Sequence, residues 1–78
     1  MSLASQLDRY LSVRRSLGYD LGTSERILRR FTRFADREGV DHIDTALFLR
    51  WHATLADACT STRVARFTAV RLFAQWLS

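Results

Sequence analysis

Lysine and proline are missing altogether from this chain, and cysteine occurs once, at Cys59. A lone cysteine excludes an intramolecular disulfide and gives no sign of an oxidising compartment. With only His42 and His52 beside it, at unrelated intervals, it forms no metal-ligand set, so no metal or other cofactor is expected. Those residues also share no spacing that sets a nucleophile beside a base, and no glycine-rich loop is present to cradle a phosphate. By its residues alone the chain is not an enzyme and takes no small-molecule substrate. No apolar stretch approaches the ~18 residues needed to span a bilayer. The opening MSLASQLDRYLSVRR has no basic segment leading into an apolar run, so it is no secretory signal, and the protein reads as cytoplasmic.

What is present is an apolar fraction of 47% with five Phe, two Trp and two Tyr, in 78 residues. That suits a folded chain rather than a disordered one, and the length allows a single domain, 1–78, near the lower limit for a core without staples. Stability should be modest, because chain entropy cancels most of what burial contributes. The net charge is +4, and every fixed positive charge is arginine. A GC-rich genome produces the same bias, yet guanidinium forks also suit phosphate oxygens and guanine edges. The basic balance favours an anionic partner, nucleic acid first and an anionic membrane second.

Without proline, the three glycines are the strongest punctuation. Apolar spacing and cap residues predict four helices, over about 2–17, 23–38, 45–58 and 62–77, in a compact all-α four-helix bundle. Leu3, Leu7, Tyr10, Leu11 and Leu17 stripe the first helix, which Gly18 ends as the C′ residue. Arg14 falls within that stripe and must snorkel past its neighbours. Thr23 or Ser24 caps the second helix and Gly39 closes it. Asp44 or Thr45 caps the third, and Ser61 or Thr62 the fourth. Helical spacing puts Tyr10, Phe31, Phe34, Phe48, Trp51, Phe67 and Phe73 in the core. The fourth helix is apolar on two sides, and its second face, around Leu72 and Trp76, has no obvious partner within the chain. The chain also ends at Ser78, directly after Trp76-Leu77, as though cut off rather than finished.

The second helix carries the functional signal. Wound at 100° per residue, Ile27, Leu28, Phe31, Phe34 and Ala35 gather on one side. Arg26, Arg29, Arg30, Arg33 and Arg37 gather on the other, within an arc of about 100°. Most charged stripes are simply solvated faces. This one is nearly pure in sign, with Glu25 and Asp36 only at its border, and it contains like-charged i,i+4 pairs that repel. Ser61, Thr62, Arg63 and Arg66 form a second basic cluster at the start of the fourth helix, where free N–H groups suit phosphate. Together they suggest two helices meeting one duplex. A membrane partner is not expected, because the apolar face such binding needs is already required for the core.

The ordered set of motifs resembles a known family. L-x-x-Y-L over Leu7 to Leu11, a glycine turn, L-x-x-F-x-x-F over Leu28 to Phe34 and Ile43-Asp44-Thr45 come first. T-R-x-x-R-F-x-x-x-R-x-F-x-x-W-L from Thr62 to Leu77 follows. This order resembles the N-terminal core-binding domain of tyrosine recombinases and phage-type integrases, proteins of DNA recombination and DNA integration. The resemblance implies a SAM-like bundle forming half of a clamp on double-stranded DNA, with its second and fourth helices facing the duplex. It also implies a following catalytic domain with a tyrosine nucleophile; Tyr10 and Tyr19 match no such motif, so the catalytic domain is expected to be absent here. Protomer–protomer contacts on DNA, through Leu72 and Trp76, are a further implication. The alternative is a helical protein-interaction module that binds an acidic partner or self-associates through the Leu72/Trp76 face.

Overall fold

The second helix of the bundle touches all three of the others, and the fold is arranged around it. In a computed structural model that describes residues 2–18, 22–55 and 60–77, the elements are α1 (Leu3–Ser16), α2 (Gly22–Arg37), α3 (Thr45–Ala53) and α4 (Thr60–Leu77). No strand occurs among the described residues, so the all-α four-helix expectation holds. The Cα radius of gyration of 12.0 Å is close to the ~11.5 Å expected for a packed chain of this length.

The core is built from one stripe of each helix: Leu3, Leu7, Tyr10 and Leu11 of α1; Leu28, Phe31 and Ala35 of α2; Leu47 and Trp51 of α3; Ala69, Val70 and Phe73 of α4. Two aromatic groups hold it. Trp51 meets Phe31 edge-on at 5.3 Å between centroids, and Phe48 continues that group to Phe67 at 5.7 Å. Tyr10 lies 5.2 Å from Phe73 and 5.5 Å from Trp76. Such offset and edge contacts are the favourable geometries for aromatic pairs. The snorkelling of Arg14 takes a specific form, its guanidinium carbon lying 5.3 Å over the Tyr10 ring.

Several boundaries and burials differ from the sequence expectation. Ser2 caps α1, close to the expected start, but α1 ends at Ser16, and Leu17 is 68% exposed rather than part of the stripe. α2 begins at Gly22 and α4 at Thr60, so Thr23, Ser24, Ser61 and Thr62 sit in first helical turns instead of at N-caps. α3 ends at Ala53 where Thr54 donates its hydroxyl to Trp51 O at 2.7 Å, and 56–58 of its expected extent lie outside the described residues. Phe67 is 52% exposed, because it lies well round the α4 wheel from Val70 and Phe73. Thr32, unremarked in the apolar pattern, is buried, its hydroxyl donating back to Arg29 O at 3.2 Å.

Gly39 closes α2 as expected. It has φ +71°; its N–H donates to Asp36 O at 3.1 Å, and Val40 N–H reaches Ala35 O at 3.0 Å. These are the paired bonds of a Schellman motif, with Val40 packed against the core as its apolar contact. A Cβ at Gly39 would meet nothing within 4 Å, so only backbone conformation demands glycine there. Gly39→Ala should therefore destabilise by about 1–2 kcal/mol, and Gly39→Asn by less, in urea unfolding. Phe31→Ala removes a fully buried ring and should lower stability by about 3–5 kcal/mol, enough to abolish a cooperative thermal transition followed by circular dichroism.

Candidate nucleic-acid interface

The arginine arc of α2 follows from how its opposite side is buried. Leu28, Phe31, Thr32 and Ala35 face the core, so Arg26, Arg30, Arg33 and Arg37 point away from it. None of these four pairs with a carboxylate among the described residues. From Arg26 to Arg37 the stripe runs about 16 Å at helical rise, slightly more than the ~12 Å width of a B-DNA major groove.

The two edges of the arc meet different neighbours. Arg29, at the α1 edge, is held within the protein: its Nη1 donates to Asp8 Oδ1 at 2.6 Å and its Nη2 to Glu25 Oε1 at 3.5 Å. Glu25 is also paired with Arg15 of α1. The hydrogen bond that Arg29 donates to Asp8 raises the Arg29 pKa, against a desolvation effect that lowers it, with the hydrogen bond to Glu25 and the Asp8 and Glu25 charges adding to the rise. A raised pKa on a cation means a contribution present below the unfolded value and lost only far above neutrality, so Arg29 stays charged throughout the working range. It acts as a strut between α1 and α2. Sequence periodicity put Arg29 on the basic face; Asp8, 21 positions away, could not be paired with it from spacing alone.

At the other edge, Thr23, Arg26 and Arg30 line a cleft of about 360 Å³ shared with Ser61, Thr62 and Arg66 of α4. Ile27, Trp51, Leu55 and Ala65 complete its wall and floor. The two basic clusters singled out in the sequence do converge, but not whole. Arg66 lies on the same stripe of α4 as Val70 and Phe73 and is half-buried. Arg63 is exposed on another side, in a groove with Phe48, Leu49, His52, Val64 and Phe67. A shallower groove runs from Gly22 along Arg26, Arg29, Arg30 and Arg33, with Glu25 at its edge. Ser24 is half-buried and Arg37 exposed, and neither borders the cleft. The face around Leu72 and Trp76 is not empty of partners, since Trp76 packs on Tyr10 and stacks on Phe73 at 6.5 Å; both residues keep over a third of their surface exposed, 38% and 37%.

Among the described residues no group of His, Cys, Asp and Glu is arranged to hold a metal ion. No helix among them is long and apolar enough to cross a membrane.

A bundle with this basic surface is similar in sequence to an integrase/recombinase. Over 70 residues the chain is 34% identical to a Sinorhizobium fredii protein that carries the provisional name integrase/recombinase y4rB. The match covers 90% of this chain and 22% of that protein, so the chain spans about a fifth of its relative's length. No protein-family profile matches the chain, and no solved structure does.

The strut and the free arginines should separate by experiment. A double-mutant cycle of Asp8→Ala with Arg29→Ala should give a coupling of about 0.2–1 kcal/mol in urea unfolding, as exposed pairs do. Arg33→Ala, with no carboxylate to lose, should leave stability within about 0.5 kcal/mol of wild type.

Proposed function

We propose that this chain is the DNA-binding, core-binding domain of a tyrosine-type site-specific recombinase or integrase. It grips duplex DNA with the basic face of α2 and the first turns of α4, and performs no catalysis by itself. The observation that carries this reading is the cleft in which Arg26 and Arg30 of α2 meet Ser61, Thr62 and Arg66 of α4, continuous with the outward stripe of Arg33 and Arg37. The similarity to an integrase/recombinase over most of the chain supports it. On this reading residues 1–78 act as one cytoplasmic DNA-binding domain, and the catalytic tyrosine belongs to another part of the recombinase.

The binding chemistry is mainly electrostatic. Guanidinium groups replace the counterions condensed on DNA phosphates, and each phosphate neutralised adds about 0.9 to the slope of log affinity against log salt. Hydroxyls and N-terminal N–H groups of α2 and α4 add phosphate contacts that set register without reading bases. Four or five such contacts suit weak, steeply salt-dependent binding.

Replacing Arg30 and Arg33 by Gln together should weaken duplex binding about tenfold or more at low salt and lower the salt slope by about 2, while helicity and unfolding stay unchanged. Equal affinities for wild type and the double variant, by fluorescence anisotropy at two salt concentrations, would sink the reading.

A second reading, a helical protein-interaction module, is favoured by one observation. Leu49, Val64 and Phe67 are 60%, 57% and 52% exposed and meet in the groove that holds Arg63. A stable dimer in sedimentation, with no binding to duplex DNA at low salt, would support that reading over the first.

A further inference from the structure

We propose that the cleft between α2 and α4 seats one sugar–phosphate unit of a DNA strand, with Arg66 as its innermost cation. This rests on the duplex-binding reading and narrows it from a basic surface to one discrete pocket. Three guanidinium groups, from Arg26, Arg30 and Arg66, border the cleft, and among the described residues that line it none is a carboxylate. Elsewhere on the same helix the protein neutralises such a charge itself, as Asp8 and Glu25 do for Arg29. At the cleft, no described residue supplies the neutralising group.

The placement of Arg66 sharpens the point. Its Nη1 is cut off from solvent and has no hydrogen-bond partner. A guanidinium donor removed from water without an acceptor is unfavourable, and native structures seldom leave one so. An oxyanion in the cleft neutralises the charge and gives the guanidinium acceptors through charge-assisted bonds. The first turns of α2 and α4 add Thr23 and Ser61 and the positive ends of two helices. Ile27 and Leu55 give an apolar side against which a deoxyribose ring can lie, which a bare ion would not use. The volume, about 360 Å³, is at the small end for ligand sites and fits one backbone unit rather than a large molecule.

The probe is inorganic phosphate, titrated into the 78-residue chain at low ionic strength and followed by NMR, with chloride at matched ionic strength as control. The expected result is one saturable site, with shifts concentrated at Thr23, Ser61 and the Arg66 side chain. Arg66→Gln should weaken phosphate binding about tenfold or more and weaken duplex binding with it. Arg9→Gln, an exposed change on α1 away from the cleft, should leave phosphate binding unchanged. Because Arg66 is half-buried, Arg26→Gln, an exposed change on the same cleft, serves as a second variant and should act in the same direction. Shifts spread evenly over all arginines without saturation, or both cleft variants binding phosphate as wild type does, would overturn the seat. If wild type binds duplex and neither cleft variant loses affinity, the seat is wrong and the duplex reading survives. If phosphate saturates the cleft while no duplex binds, the duplex reading falls, and the assignment of the occupant falls with it.

Discussion

The packing of one helix, α2, against the other three is the constraint on which the rest of this protein depends. Leu28, Phe31, Thr32 and Ala35 occupy the face that α1, α3 and α4 enclose, and both Leu28 and Phe31 are fully buried. Burying each large apolar side chain contributes about 1.5–3 kcal/mol. Each like-charged arginine pair at i,i+4 on the opposite side opposes helix formation by about 0.2–0.5 kcal/mol. Burial therefore outweighs the repulsion, and the arginines can be held outward in a stripe that no isolated peptide would favour.

What each arginine then does is decided by its edge of the arc and not by its type. Arg29 and Arg30 are adjacent in sequence and 100° apart on the helix. That rotation carries Arg29 to α1, where Asp8 and Glu25 neutralise it, and Arg30 to α4, where no carboxylate among the described residues borders the cleft. One becomes a strut and the other an open charge. The same geometry divides Arg63 from Arg66 on α4: three residues of rotation take one to solvent beside α3 and the other inward beside α2.

Most of the architecture was legible before any coordinates. Apolar spacing located all four helices, and glycine marked the ends of α1 and α2 because those positions need positive φ, +89° at Gly18 and +71° at Gly39. Helix starts were harder. Thr23, Ser24, Ser61 and Thr62 look like caps, yet α2 and α4 begin earlier, so their hydroxyls end up in first turns. The site was legible in part. The wheel of α2 identified its outward arginines, but the Arg29–Asp8 pair joins residues 21 apart, and nothing local encodes it. The half-burial of Arg66 had its signal in the wheel, since it falls on the same stripe as Val70 and Phe73. A charged residue on a buried stripe is easily read as an exception to the pattern, when it is the pattern that places it. Trp76 was taken as lacking a partner for the opposite reason: its contact with Tyr10 is made across α1 and α4, and periodicity within α4 says nothing about it.

The separation between the two cationic clusters is set beneath the surface. α2 and α4 pack directly on each other, and the side chains behind the cleft include Trp51, which is fixed edge-on against Phe31. Surface arginines have long, flexible stems, and holding several in one arrangement consumes side-chain entropy. A rigid pair of backbones removes part of that penalty by fixing where the stems begin, and the half-burial of Arg66 removes more. On the proposed reading the core thus acts on binding without touching a ligand. A cavity at the α2–α4 contact lets the helices shift, and a phosphate that bridged both would then meet only one. A flat basic stripe on a single helix would be indifferent to such a shift. Dependence of anion binding on core packing is therefore the property that would distinguish a two-helix cleft from a charged surface, and on the proposed reading it rests on the place of Arg66 on the buried side of α4.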